Sequence, residues 1–175
     1  MKSPYILAVL LWAASVASPA AAQTQSDWER ARGDRDWKES EVGLPDPPTS
    51  GALIEFFVSA GSNFRFFIDR ASISVGTDGV VRYTLVARSP SGAENTSYEG
   101  IRCSSASYKV YAVGQGAGWS RARSDWKPIE AKSVQRWHQA LRDEYFCPFN
   151  VLVSSAAQAV EHLRRGGHPD FRRKN

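Results

Sequence analysis

Ala71-Ser72-Ile73-Ser74-Val75-Gly76-Thr77-Asp78-Gly79-Val80-Val81-Arg82-Tyr83-Thr84-Leu85-Val86-Ala87-Arg88 decides the fold. Ile73 and Val75 alternate with Ser72 and Ser74 before the central turn. After it, Val81, Tyr83, Leu85 and Ala87 would share one face, and Arg82, Thr84 and Arg88 the other. Successive side chains of a strand point to opposite sides, so each run predicts a half-buried strand. Asp78-Gly79 suits the tight turn between them, because Gly adopts positive φ freely and Asp tolerates it better than most residues. Together they predict an antiparallel hairpin.

The same pattern extends outward. Ile54, Phe56 and Val58 alternate with Glu55 and Phe57, and Phe64, Phe66 and Ile68 with Arg65 and Asp69. Ser89-Pro90-Ser91-Gly92 is the next turn, residues 95–103 and 108–113 supply further strands, and the glycines of 114–118 break the alternation. About six strands joined to their sequence neighbours form a meander. The C-terminal third then changes period. Ser133 can cap a helix carrying Val134, Trp137, Leu141 and Tyr145, which Pro148 ends. Ser154 or Ser155 can cap a second helix with Ala157, Val160 and Leu163 on one face, stopped by Gly166-Gly167. Strands followed by segregated helices predict an α+β domain, with the two helices packed on the sheet.

The N-terminus reads as a secretory signal peptide over residues 1–22. Lys2 is the positive n-region, residues 5–17 are a mostly apolar stretch of 13, and Ala20-Ala21-Ala22 offers a cleavage site between Ala22 and Gln23. A retained spanning helix would need about 20 apolar residues. Ser15, Ser18 and Pro19 close this run too early, and no Cys at the cleavage point could accept a lipid. Export predicts a periplasmic protein with no transmembrane segment in its mature chain. Residues 23–52 form a polar leader with a Pro-rich lead-in, residues 53–166 a single globular domain, and residues 167–175 a basic tail.

Export also sets the chemistry of Cys103 and Cys147. Two cysteines in an oxidising compartment pair, here stapling helix to sheet. Redox-active pairs keep two residues between their thiols, whereas these lie 44 apart, so the expected bond is structural.

Charge excludes one class of partner. Of 22 basic residues Lys2 leaves with the leader, so the mature chain carries 21 against 18 acidic ones. Arg164, Arg165, Arg172, Arg173 and Lys174 account for that excess at the C-terminal end, and residues 23–160 balance. No basic face interleaved with aromatics suggests nucleic acid. The tail is a solvated end, able to make weak electrostatic contact with a membrane surface.

Strict alternation places Ser97 and Glu99 beside Ile101 and Cys103 on the apolar face. A buried carboxylate needs a partner, and Arg82 on a neighbouring strand or Arg102 after a kink at Gly100 could supply one. Arg82, Glu99 and Arg102 are therefore the candidate ligand-binding residues, against the plainer reading of a structural ion pair. Trp119 and Trp126 flank two arginines, as a recognition patch or as the end of a core. His138, His162 and His168 lack metal-ligand spacing, and neither Gly-x-Ser-x-Gly nor a Gly-rich phosphate loop is present, so no cofactor, metal or catalytic residue is implied.

Asp36-Trp37-Lys38-Glu39, Leu44-Pro45, Asp78-Gly79-Val80-Val81-Arg82-Tyr83-Thr84-Leu85, Tyr98-Glu99-Gly100-Ile101-Arg102-Cys103, Tyr111-Ala112-Val113-Gly114 and Tyr145-Phe146-Cys147-Pro148 resemble the cryptic-neisserial-protein-like family of exported bacterial proteins. The resemblance runs from about Trp37 to Gly166, implies a Gram-negative periplasmic setting, and carries no catalytic residue to this chain. The function expected is a non-catalytic module that binds an envelope component or protein partner. The alternative is a small periplasmic hydrolase of an envelope polymer, using Glu99 or Asp69 with His138, which requires His138 beside a carboxylate in a cleft.

Overall fold

The computed structural model describes residues 36–130 and 136–169. The signal sequence with its Ala22–Gln23 cleavage point, residues 23–35 of the leader, the Ser133 cap with Val134, and the end of the basic tail lie outside the described residues. The fold is that of the unit spanning residues 38–175.

The hairpin at Asp78-Gly79 sits near the middle of an antiparallel sheet, with Gly79 at φ 77° as the turn requires. Six strands run in meander order: β1 (Leu53–Phe56), β2 (Arg65–Val75), β3 (Val80–Arg88), β4 (Glu94–Arg102), β5 (Ser107–Gln115) and β6 (Gly118–Arg121). A short β7 (Lys127–Pro128) returns to pair with the start of β5.

The two alternating runs on either side of Arg70 are one strand. β2 carries an irregularity between Asp69 and Ser74. There Asp69 Oδ1 accepts the Ala71 N–H at 3.1 Å, while Ser72 Oγ donates to the Asp69 carbonyl and accepts the Thr84 N–H, each at 2.8 Å. A bulge of this kind bends a strand without ending it, because side chains satisfy the backbone groups that leave the ladder.

The helices cover one sheet face. α1 (Arg136–Ala140) continues as a π-helical turn over Leu141–Phe146, and α2 (Ala156–Arg165) follows. Ser155 caps α2 by accepting the Gln158 N–H at 3.2 Å, and Gly166 at φ 73° ends it in the left-handed region. Its inward face is Ala159, His162 and Leu163, with Ala156 and Val160 partly covered; Ala157 is exposed. His162 Nδ1–H donates to the Tyr145 carbonyl at 2.7 Å, and the His168 N–H bonds the Glu144 carbonyl at 2.8 Å, so the π turn's carbonyls are satisfied. Phe56, Phe66, Ile68, Val81, Tyr83, Leu85 and Ile101 from the sheet pack against Leu141, Tyr145, Phe146 and Leu163. Cys103 and Cys147 are disulfide-bonded within this core, with an S–S distance of 2.08 Å, stapling helix to sheet as expected.

The opposite face carries a smaller cluster of Tyr98, Tyr111 and Ala112, covered by Val42 and Leu44 from the Pro-rich lead-in and by Trp119. Gly100 permits this packing. A Cβ there would lie 2.8 Å from the Tyr111 hydroxyl oxygen and 3.0 Å from Val80 Cγ1. Gly100→Ala is therefore expected to lower stability by about 1–3 kcal/mol, as overpacking does. A urea midpoint unchanged from the parent would contradict that packing.

Candidate functional site

Register separates the three candidate residues. Arg82 pairs with Gly100 and Val80 with Arg102, whereas Glu99 pairs with Tyr83. Alternation then puts Arg82 and Arg102 on the face covered by the lead-in, and Glu99 on the helix face. They form no single cluster, and the partner of Glu99 is neither arginine.

Arg82 is held by Asp78 at the hairpin turn. Its Nη1 and Nη2 donate to Asp78 Oδ1 and Oδ2 at 3.2 and 2.6 Å, and the guanidinium lies 5.6 Å from the centre of the Tyr111 ring. The polar leader completes this network. Glu39 Oε1 accepts the Tyr111 hydroxyl at 2.6 Å, and Oε2 accepts Lys109 Nζ at 2.8 Å and Trp126 Nε1 at 3.4 Å. Trp119 Nε1 donates to the Pro45 carbonyl at 2.8 Å. The two indoles thus hold the leader against the sheet. A recess of about 630 Å³ lies alongside, between residues 39–42 and residues 121–125, but Glu39, Lys109 and Tyr111 at its back are bonded to one another.

Burial pushes the Asp78 carboxyl up, but the Arg82 guanidinium and the N–H groups of Ser40 and Val80 outweigh it and hold the group at about 2, against an ordinary 3.8. A depressed folded pKa stabilises the protein above the unfolded value and loses that contribution as pH falls through the folded one. Unfolding free energy is therefore expected to drop by about 2 kcal/mol between roughly pH 4.5 and pH 2 on this account. Asp78→Asn should flatten that acid limb in pH-dependent urea titrations. An identical limb in the variant would exclude Asp78 as its origin.

On the helix face, Glu99 is only 3% exposed and meets three polar side chains. Oε1 accepts the Ser97 hydroxyl at 2.6 Å; Oε2 accepts the Tyr83 hydroxyl at 3.1 Å and lies 2.9 Å from His138 Nε2. Burial first, and then the adjacent Glu99, keep the Tyr83 phenol protonated well above its ordinary range, so that hydroxyl is a donor. A carboxylate only accepts, which assigns a proton to His138 Nε2. Tyr108 stacks on the imidazole with ring centres 3.7 Å apart.

His138 does reach a carboxylate, as a hydrolase would require. Both groups are nevertheless sealed from solvent, at 2% and 3% exposure, and the imidazole contacts Glu99 rather than the Ser97 hydroxyl. Asp69 lies on the other face, opposite Thr84, and cannot form a carboxylate pair with Glu99 across one cleft. Among the described residues, no group of three His, Cys, Asp or Glu side chains could hold a metal ion, and no helix is long and apolar enough to cross a membrane.

The concave site lies next to this network. Among the described residues nothing covers the far end of this face, where a groove of about 620 Å³ lies. Leu85 and Ala87 of β3 line it together with Phe64, Phe66 and Trp137 on one side and residues 94–97 and Val113 on the other. Phe64, Phe66 and Trp137 form a ladder, with ring centres 6.4 and 5.4 Å apart and planes tilted by 30° in each step. Phe64 and Val113 are 42% and 44% exposed. Ser97 links groove to core, since it lines the groove while bonding Glu99. Ser97 is visible in sequence as a polar residue on an apolar face, but nothing in the alternation brings Trp137 to the same place.

Comparison with known proteins follows the same core. Residues 32–164 match the model of the CNP1-like family. Cryptic neisserial protein 1 of Neisseria gonorrhoeae is 30% identical over 112 residues, which cover 54% of this chain and 55% of that protein, so the chain spans about half the length of the curated relative it matches. No solved structure matches. With the family match covering most of the sheet and both bonded cysteines, the chain belongs to the CNP1-like family.

Proposed function

We propose that the mature protein is an exported, periplasmic, non-catalytic module that binds an envelope component in the groove at the uncovered end of the helix face. The groove itself carries the reading. It is concave, of ligand size, walled by aromatic and aliphatic groups and crossed by a few polar ones, as small-ligand sites are. The secretory pattern of residues 1–22 and the oxidised cysteine pair support export.

Two measurements test it. Protein recovered from the periplasm should begin at Gln23; an unprocessed N-terminus would overturn export through cleavage. Mature chain immobilised and washed with solubilised envelope should retain material that a Val113→Arg variant does not. Val113 is exposed, so arginine blocks the groove without entering the core. Equal retention by both proteins, with matching circular dichroism, would remove the groove as the binding site.

A further inference from the structure

We infer that the groove takes a neutral oligosaccharide, an inference that rests on the binding reading above and names its ligand class. The two walls have different chemistry. One is the stacked ladder of Phe64, Phe66 and Trp137, whose outermost ring is 42% exposed. The other is the end of β4, whose alternation turns the Asn95 amide and the Ser97 hydroxyl to this face, opposite Ala87 and Leu85. A sugar ring has that same division: an apolar face of C–H groups that lies against an aromatic ring, and an edge of hydroxyls that both donate and accept.

Charge narrows the class further. Among the described lining residues no charged side chain faces the groove: Glu94 alternates to the other face, where Arg88 holds it at 2.6 Å. The described lining therefore offers no charge to attract an anionic polymer or a phosphorylated headgroup. An acyl chain would match the aromatic wall but would cover the Asn95 amide with hydrocarbon, leaving its polar groups without partners. An extended peptide needs free backbone edges, yet Leu85 and Ala87 at the floor belong to a strand paired on both sides, to β2 and to β4. Ring faces and side-chain hydroxyl or amide groups are what the floor and walls present.

Glu99 has a positioning role in this site. Its Oε1 accepts the Ser97 O–H at 2.6 Å, which leaves the Ser97 oxygen's lone pairs free to accept from a ligand hydroxyl.

The test uses the mature, disulfide-bonded chain and uncharged tetramers of glucose and of N-acetylglucosamine, titrated by calorimetry and tryptophan fluorescence. At least one tetramer should give saturable binding with a change in emission that a Trp137→Phe variant lacks. Phe64→Ala and Asn95→Ala should each weaken binding about tenfold or more, and Val113→Arg should abolish it. Near-ultraviolet circular dichroism confirms that each variant is folded. No tetramer binding at millimolar sugar, while a fluorescent fatty acid binds wild type but not Val113→Arg, would overturn the sugar assignment and leave the binding groove standing. Absence of both, together with envelope retention unaffected by Val113→Arg, would overturn the groove as well.

Discussion

Replacing Cys103 and Cys147 together by alanine is expected to lower the unfolding free energy by about 4 kcal/mol. The bond joins the end of β4 to the residue after the π-helical turn across a sequence separation of 44. Cross-linking such a loop removes closure entropy from the unfolded chain, worth about 4 kcal/mol for about 45 residues in the chain-entropy model. Both sulfurs lie in the core, at 5% and 1% exposure, so the substitution also removes packed atoms. Urea denaturation of the double variant against the oxidised parent measures the loss. A difference below about 1 kcal/mol would mean that the reduced, unfolded chain is already compact around this loop. Intact mass provides the covalent check: the mature protein should be two hydrogens lighter than its reduced form, and two alkylatable thiols in native protein would refute the bond.

His138→Ala is expected to cost about 2–4 kcal/mol, from a buried acceptor losing its donor and from the cavity left behind. The variant leaves Glu99 buried with Ser97 and Tyr83 but without the 2.9 Å contact to the imidazole. It also opens a cavity against the Tyr108 ring, which lies 3.7 Å away between ring centres. Glu99→Gln should cost less, because the amide oxygen still accepts one hydroxyl and no uncompensated charge remains. A double-mutant cycle over these substitutions isolates the pair: if their effects simply add, the contact carries no coupling and the network is incidental. A His138→Ala loss below about 1 kcal/mol would contradict a stabilising His138–Glu99 contact in the core.

These two sites differ in how far the sequence reveals them. The cysteine pair follows from export and count, without knowledge of the fold. Glu99 is visible as a carboxylate on an apolar face, so its need for a partner is legible, but the partner is not. Arg82 is near in sequence, yet pairing with Gly100 turns it to the other side of the sheet. His138 is 39 residues away and reaches Glu99 only because α1 packs across β4 and β5. The leader shows the same limit. Glu39 is an ordinary surface carboxylate by composition, and its contacts with Lys109, Tyr111 and Trp126 span 70 residues or more.

The sequence by itself determined the local order of this protein: the alternation of β3, the Asp78-Gly79 turn, a serine cap at 154 or 155, the Gly166 stop and the pairing of its two cysteines. Each is set by the sterics of neighbouring residues, by hydrogen bonds within one turn, or by redox chemistry. Only the tertiary structure decided which face each candidate side chain shares, that residues 39–45 cover one side of the sheet, and that Trp137 joins Phe64 and Phe66 beside β4 on the other. Those outcomes depend on contacts between residues distant in the chain, where the covering of apolar area fixes position and periodicity does not. The groove is lined by β2, β3, β4, β5 and α1 together, and no single segment of the chain encodes it.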